Sequence, residues 1–169
     1  MIVAAAGLII FPLMMAYAAS SDLLTMTISN KLNLALAVSY FILAAASDQS
    51  IDTILVHIAC GLCMLAITFS LFCAGWMGGG DAKLAAGTAL WMGFPLSVEY
   101  AVAASFLGGL LTMAILFFRT RPLPDLLMRQ KWIARLHDKE TGIPYGIALA
   151  AGGLLLYPKT SIWISIIHM

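Results

Sequence analysis

The stretch 77–84, with the sequence MGGGDAKL, places one carboxylate directly after three glycines and between two long apolar runs. An ionisable residue at the edge of a membrane span is a candidate functional residue, because a charge is costly there. Glycine adopts backbone conformations that other residues avoid, and it lets another chain approach closely. We therefore expect this stretch to present Asp81 to an extended peptide at a membrane boundary. The rest of the chain is then expected to supply Asp81 with a partner.

The composition is that of an integral membrane protein. Of the 169 residues, 62% are hydrophobic and 10% are charged, whereas soluble domains carry about 25% charged residues. This length predicts one membrane-embedded domain over residues 1–169, in contact with the lipid bilayer. The net charge of +1 gives no indication of nucleic-acid binding, so no nucleic-acid partner is predicted.

The apolar runs predict an all-α fold with about six transmembrane helices, since about 20 mostly apolar residues cross a bilayer. The predicted spans are 2–20, 32–47, 54–74, 82–96, 100–118 and 143–167. Pro95 marks the end of the fourth span, and Tyr157–Lys159 interrupts the sixth. No basic residue precedes Lys31, so we interpret the first run as a retained span and not as a signal peptide.

The basic residues follow alternate spans. Eight of the nine lie after spans one, three and five: Lys31, Lys83, Arg119, Arg121, Arg129, Lys131, Arg135 and Lys139. The loops after spans two and four carry only the acids Asp48, Asp52 and Glu99. Because loops rich in Lys and Arg face the cytoplasm, both termini are predicted to lie outside. Asp22 and Asp81 then fall in the first and second cytoplasmic loops, on the same membrane face.

Two carboxylates a few ångströms apart cannot both ionise easily, so they share one proton and titrate as a pair. The ionised member can take a proton from water while the neutral member polarises a peptide carbonyl. This is general acid–base hydrolysis without a covalent intermediate or a metal. Asp22 and Asp81 are therefore the candidate catalytic pair.

Three motifs, in order along the chain, resemble the prepilin peptidases, also called type IV leader peptidases. Residues 78–81 (GGGD) fit the GxGD pattern of membrane aspartyl proteases. Asp22, followed by Ile28-Ser29-Asn30, is similar to the family's first-aspartate motif, although Ser29 stands where proline is common. The segment 142–148 (GIPYGIA) is similar to the Pro-Tyr-Gly start of the family's last helix. The small size resembles the branch that serves Flp/Tad pili.

The resemblance implies an aspartic endopeptidase of the bacterial inner membrane that removes short basic leaders from type IV or Flp-like prepilins. Its active site would face the cytoplasm and both termini the periplasm. Asp22 and Asp81 would be catalytic, Gly78 and Gly80 would shape the substrate-facing backbone, and Asn30 would hydrogen-bond the site or cap the second helix. The partners would be the prepilin leader and its helix, and a homo-oligomer is left open. No metal and no cofactor are predicted.

Larger relatives carry a cytoplasmic insertion with two CxxC pairs, which is linked to N-methylation of the cleaved pilin. Residues 21–30 are too few for that insertion, so no methyltransferase activity is predicted. The single pair Cys60 and Cys63 lies inside an apolar run, where packing is the expected role.

The charged segment 119–141 predicts a cytoplasmic amphipathic helix over 125–137. Met128, Trp132 and Leu136 recur at a spacing of four, with basic residues between them. Such a helix lies on the membrane surface and either only connects two spans or helps to dock the precursor. Docking would use apolar side chains or the acids Asp138 and Glu140, because a basic leader is repelled by arginine and lysine.

Three other functions fit parts of the pattern. A small ion-coupled transporter also has glycine-broken helices and buried acids, although such ion sites lie near the midplane. A presenilin-like or signal-peptide-peptidase-like protease would carry a Tyr-Asp motif, which this sequence lacks. A catalytically inactive pilus-assembly protein is the third alternative, and only an activity assay would distinguish it from the peptidase.

Overall fold

The computed structural model describes residues 2–167, and over that range it is all-helical, with no β-strand. Within these residues the chain forms α1 (Ile2–Thr25), α2 (Asn30–Ala46), α3 (Ile51–Cys73), α4 (Gly79–Arg119), α5 (Asp125–Met128), α6 (Lys131–His137), α7 (Gly146–Leu156), a 3₁₀ turn (Tyr157–Lys159) and α8 (Ser161–Ile167). By length and apolar composition, three helical stretches can cross a membrane: Gly7–Thr25, Ile51–Cys73 and Gly79–Arg119. The predicted all-helical membrane fold is confirmed at this level.

The long helix α4 is broken at Gly93, where φ is 67° and ψ is 172°. Glycine is required here for two reasons: the positive φ is unfavourable for other residues, and a Cβ would lie 2.8 Å from His57 Nε2. Pro95 follows and lacks a backbone N–H for the ladder. We call residues 79–92 α4a and residues 94–119 α4b. The sequence predicted the end of this span at Pro95, and the structure has the break two residues earlier, at Gly93.

The two halves of α4 run in opposite directions along α7. Along α4b, the contacts are antiparallel to α7: Gly108 packs on Tyr145, Ala104 packs on Gly152, and Glu99 pairs with Lys159 at 2.8 Å. Along α4a, Thr88 packs on Gly153, and Ile28 contacts both Gly80 and Gly146 at the ends of the two helices. The kink thus turns α4 into a hairpin, as the separate spans 82–96 and 100–118 require.

The other helices run between the same two ends of the bundle. Helix α3 is antiparallel to α4a, since Thr68 donates to the Ala82 carbonyl near one end and His57 bonds to the Leu90 carbonyl near the other. Helices α1 and α7 are also antiparallel, with Asp22 bonded to Gly146. We call the end that holds Asp22 and Asp81 the acid end. The number of membrane crossings stays a prediction.

Large aromatic side chains fill the core toward the opposite end. Phe11 stacks on Tyr157 with ring centroids 4.4 Å apart, and it packs against Trp91 at 4.9 Å. All three side chains are fully buried. Trp91 Nε1 donates to the Leu36 carbonyl at 2.9 Å, so its polar group is satisfied. This cluster joins α1, α2, α4a and the 3₁₀ turn at the end of the bundle opposite the acids.

Two sequence predictions near the acid end are corrected. Helix α1 does not stop at Ser20 but continues to Thr25, so Asp22 lies on a helix and not in a loop. The hydroxyls of Ser20 and Thr25 bond to carbonyls four residues earlier, and the helix ends only at Met26, where φ is +55°.

The amphipathic helix expected over 125–137 is instead two short helices, α5 and α6. Gln130 separates them, because its ψ of 111° is extended and not helical. Helix α6 can therefore turn its carboxyl end inward, where Leu136 is buried. That reorientation is possible only because the helix is broken.

Candidate active site

Asp22 is a buried carboxylate on the last turns of α1, with only 5% of its surface exposed. Its Oδ2 accepts a hydrogen bond from the Gly146 backbone N–H at 2.7 Å. Gly146 is the first residue of α7, so its N–H is among those that the helix itself leaves without a partner. A helix amino end also favours a nearby negative charge. One carboxylate oxygen of Asp22 is thereby held in place.

Gly146 can hold Asp22 only because it has no side chain. A Cβ at this position would lie 2.8 Å from Asp22 Oδ2 and 2.7 Å from Ile28 Cδ1. Both distances are shorter than any normal contact to a Cβ, so a larger residue would displace the carboxylate or the isoleucine. The glycine of the segment 142–148 is thus explained by a contact 124 residues away in the chain.

Asp81 occupies the first turn of α4a, two residues after the helix begins. Gly78 is the N-cap of α4a, and it has no side chain that could bond to the free N–H groups at the helix start. Asp81, three residues later, is the acid that faces these N–H groups. A Cβ on Gly78 would lie 3.0 Å from Asp81 Oδ2. Asp81 is half-buried, in contrast to the fully buried Asp22. Gly78 therefore leaves one side of the Asp81 carboxylate uncovered.

Gly80 lets the start of α4a approach the chain between α1 and α2. A Cβ on Gly80 would lie 3.1 Å from Ile28 Cβ and 3.2 Å from the Ile28 carbonyl oxygen. Asn33 Nδ2 donates to the Gly80 carbonyl at 3.4 Å across the same junction. Ile28 therefore packs between Gly80 and Gly146, and this contact draws α4a and α7 together.

The structure brings the two predicted acids to the same site. Gly146 bonds Asp22, Gly80 directly precedes Asp81, and both glycines lie against Ile28. Ile28 lies against the glycines that flank both acids, so α1, α4a and α7 each contribute to one cluster. A buried acid and a more open acid at one site are the groups needed to share a proton and activate a water.

Asn30 does not cap α2, which was one of its two predicted roles. Ser29 is the N-cap of α2, since its extended backbone lets its Oγ accept from the Leu32 N–H at 3.2 Å. Asn30 lies inside the helix, and its Oδ1 accepts from Lys83 Nζ at 2.7 Å. This contact ties α2 to α4a beside Gly80. Ser29 thus caps the amino end of α2, at the position where the prepilin peptidases that the motifs resemble often have proline.

Sequence reasoning missed the roles of Ile28 and Gly146 in placing the acids. The segment 142–148 was noted as a motif, but nothing in it indicates a partner in α1. No group of three or more His, Cys, Asp or Glu side chains that could hold a metal forms within residues 2–167.

Comparison with known protein families gives a match. No curated protein and no solved structure matches this chain. The profile of the type IV leader peptidase family matches residues 9–113, which is more than half of the 169 residues and includes Asp22 and Asp81. Gly146 and the segment 119–141 lie beyond the matched range. Three long apolar helices accord with a membrane-embedded peptidase. The chain belongs to the type IV leader peptidase family.

Proposed function

We propose that this protein is a membrane aspartic endopeptidase that removes the short basic leader from type IV or Flp-like prepilins. The observation that carries the proposal is that Asp22 and Asp81 lie at the same end of the bundle, where Ile28 packs against Gly146 beside one acid and Gly80 beside the other. Asp22 is buried and held by Gly146, and Asp81 is more open at the start of α4a. Membership of the leader peptidase family supports a protease, and the pair supplies an aspartic mechanism.

The proposed reaction uses one shared proton. The ionised carboxylate takes a proton from water as the water oxygen bonds to the peptide carbonyl carbon, and the protonated carboxyl gives its proton to the carbonyl oxygen. The product is a tetrahedral diol. One carboxylate then takes a proton from the diol while the other protonates the amide nitrogen, and the C–N bond breaks. The pair returns to its starting state, with no metal and no covalent intermediate.

The proposed orientation places the acid end at the cytoplasmic face of the bacterial inner membrane. Lys31 and Lys83 lie near the starts of α2 and α4a at this end. The other basic residues of this end lie in α5, α6 and the segments that flank them. Asp52 and Lys159 lie toward the opposite end. Because lysine and arginine are retained on the cytoplasmic side, the acids would meet a leader before it crosses the membrane. Both termini would then be periplasmic.

An apolar groove between α3 and α4b supports a place for the substrate helix. Two adjoining cavities of about 530 and 280 Å³ form it. The residues that line both are Met64, Ile67, Ala101 and Ser105. The inner cavity reaches Met77, which precedes Gly78, and Tyr145, which precedes Gly146. The groove is thus continuous with the backbone that carries the candidate site.

The groove matches an apolar helix in size and chemistry. From Cys60 to Leu71 it extends about 17 Å at 1.5 Å per residue, which is about three helical turns. A chain inside the bilayer must satisfy its backbone within itself, so a helix is the form that fits. We place the prepilin's own apolar helix here, with its leader junction at Asp22 and Asp81.

The proposed activity is peptidase without N-methyltransferase activity. Only residues 26–29 separate α1 from α2, and this turn is occupied by Ile28 packing against Gly80 and Gly146. Four residues are too few for a cytoplasmic insertion of the kind associated with N-methylation. Mass measurement of the cleaved pilin tests this point, because a methylated product would be heavier by one methyl group.

The central test is cleavage of a candidate prepilin by the full chain in membrane vesicles. We expect Asp22→Asn and Asp81→Asn each to abolish cleavage, because asparagine cannot donate or accept the shared proton. Asp52→Asn is the matched control, since Asp52 is an exposed acid in the first turn of α3 at the opposite end. That variant should cleave at the wild-type rate.

Membrane insertion must be measured for all three variants, so that lost activity is not mistaken for lost protein. If both active-site variants insert and still release the leader, the aspartic assignment is wrong. Loss of activity in Asp52→Asn as well would show that the effect is not specific to the pair.

A further inference from the structure

Arg119 is a buried cation held by carbonyl oxygens and not by an acid. Its Nε donates to the Leu136 carbonyl at 2.8 Å, and its Nη2 donates to the carbonyls of Thr141 and Gly142 at 2.8 and 3.1 Å. Only 8% of its surface is exposed. No carboxylate pairs with it within residues 2–167. The guanidinium therefore joins three segments: the end of α4b, the end of α6 and the loop that leads to α7.

Arg135 makes the corresponding contact on the other side of α6. Its Nη1 donates to the Leu24 carbonyl at 3.1 Å. Leu24 is in the last turn of α1, two residues after Asp22, where helix carbonyls have no partner of their own. Helix α6 is thus attached to α1 through Arg135 and to α4b through Arg119.

These contacts close a ring around the candidate site. The ring begins at the hydrogen bond between Asp22 and Gly146 and follows the loop back to Gly142. Arg119 links Gly142 to Leu136 at the end of α6. Arg135, also in α6, closes the ring by bonding to Leu24 in α1. Asp138 stiffens the loop, since its carboxylate accepts from the Glu140 N–H and the Thr141 hydroxyl. Each side of the Asp22–Gly146 bond is therefore anchored to the same short helix.

We propose that Arg119 is a positioning residue for the peptidase reaction: with Arg135, it uses α6 as a brace that keeps the Gly146 N–H on Asp22. This inference rests on the proposed function and deepens it. The fork of a guanidinium reaches carbonyls of two segments at once, which the single ammonium of lysine does not reproduce. The role of the segment 119–141 is then to hold the acid site together, and Asp138 is engaged in the loop and not left for a precursor.

The test compares Arg119→Gln and Arg119→Lys with Arg121→Gln. Arg121 is two residues further along, exposed, and its guanidinium lies over the Phe117 ring at 5.0 Å without joining these segments. Arg135→Gln removes the other, more exposed arm of the brace and is expected to fold even if the Arg119 variants do not. Each full-length protein is purified in detergent and its thermal unfolding is measured first.

Two readouts are recorded on the folded variants. The first is kcat and KM for a synthetic prepilin segment that contains a basic leader and the following apolar helix. We expect kcat to fall about 10- to 100-fold in the Arg119 variants, because small displacements of reacting groups have effects of that size. KM should stay within about twofold, since the substrate groove is untouched. Arg121→Gln should match the wild type in both.

The second readout is the amide resonance of Gly146 in ¹⁵N-glycine-labelled protein, with Asp22→Asn as the reference for a lost carboxylate hydrogen bond. We expect the resonance to move toward the reference in Arg119→Gln and Arg135→Gln, and not in Arg121→Gln. A folded Arg119→Gln variant with wild-type kcat, or with a lowered kcat but an unmoved Gly146 amide, would overturn the proposal.

The outcomes separate this proposal from the proposed function. If Asp22→Asn and Asp81→Asn still cleave, the aspartic mechanism falls, whatever the arginine variants do. If those two variants are inactive and Arg119→Gln keeps its kcat, only the brace falls. The amide readout does not depend on cleavage, so it tests the coupling of Arg119 to Asp22 in either case.

Discussion

At the scale of single residues, the candidate site depends on three glycines, because each lacks the Cβ that would collide with a neighbour. Asp22 and Asp81 are the proposed catalytic acids, and their positions follow from Gly78, Gly80 and Gly146, each of which leaves space that a Cβ would fill. A stretch of three glycines is visible in the sequence, and so is the Asp that follows it. The partner of each glycine is not visible, because Ile28 and Asp22 come close to Gly146 only in the folded chain.

Gly146→Ala tests this directly. The new Cβ would lie 2.8 Å from Asp22 Oδ2, so the carboxylate must move and lose its bond to the Gly146 N–H. We expect kcat for prepilin cleavage to fall on the order of 100-fold. The measurement is cleavage kinetics in detergent micelles, with the level of folded protein recorded for each variant.

The matched control is Gly142→Ala, four residues earlier in the same loop. A Cβ on Gly142 meets nothing within 4 Å, and alanine keeps the backbone carbonyl that accepts from Arg119, so kcat should equal that of the wild type. A Gly146→Ala enzyme with normal kcat would contradict the contact between α7 and Asp22. A loss of activity in both variants would instead point to the loop backbone as a whole.

At the scale of elements, the break in α4 decides how the chain is arranged. Without it, 41 residues of continuous helix would be about 60 Å long, twice the hydrocarbon thickness of a bilayer. Gly93 divides this length into two antiparallel segments, α4a over 79–92 and the longer α4b over 94–119. The sequence predicts two spans from Pro95 and the acid Glu99, but the residue that makes the turn is the glycine packed against His57.

Gly93→Ala should therefore destabilise the fold. A positive φ on a residue with a side chain costs roughly 1–3 kcal/mol, and the new Cβ would also lie 2.8 Å from His57 Nε2. We expect the free energy of unfolding, measured by denaturant titration in micelles, to fall by at least about 1 kcal/mol. A variant as stable as the wild type would contradict the observed backbone at this position.

Gly109→Ala is the control within α4b. Gly109 is helical and a Cβ there meets nothing within 4 Å, so the same substitution is unstrained. Because alanine favours helix over glycine, the free energy of unfolding should stay level or rise by up to about 1 kcal/mol.

The groove between α3 and α4b carries a separate prediction at this scale. Ser105 is exposed and lines both of its cavities. Ser105→Trp should raise KM for the prepilin segment about tenfold or more while leaving kcat nearly unchanged, because it fills the groove without touching the acids. Leu110→Trp is the control, since Leu110 is exposed on the same helix and lines neither cavity. Equal KM values for the two variants would remove the groove as the docking site.

At the scale of the whole molecule, the acid end and the basic residues coincide. This coincidence predicts the orientation in the membrane, which labelling of single cysteines in a cysteine-free background can measure. A cysteine in place of Arg129, exposed beside α5, should react with a membrane-impermeant maleimide only from the cytoplasmic side. A cysteine in place of Asp52 should react only from the periplasmic side. The reverse pattern would place the acids outside and exclude prepilin leaders as substrates.

Much of this protein follows from the sequence by itself. A chain that is 62% hydrophobic must bury its backbone polar groups in helices inside a bilayer, so the all-helical fold follows from composition. The GGGD stretch and Asp22 identified the candidate acids, because a carboxylate at a membrane boundary is rare unless it has a role. These features depend on residues that are near one another in the chain, so they can be recognised from the sequence.

Only the tertiary structure decided how the acids are held. The end of α1 at Thr25, the break of the 125–137 segment, the Lys83 contact of Asn30 and the ring through Arg119 all depend on neighbours far away in the chain. Helix propensity does not determine them, because several conformations of these segments have similar local energies. What selects one is the close packing of Ile28 between Gly80 and Gly146, and of carbonyls around a buried guanidinium, which exists only once all the helices are assembled.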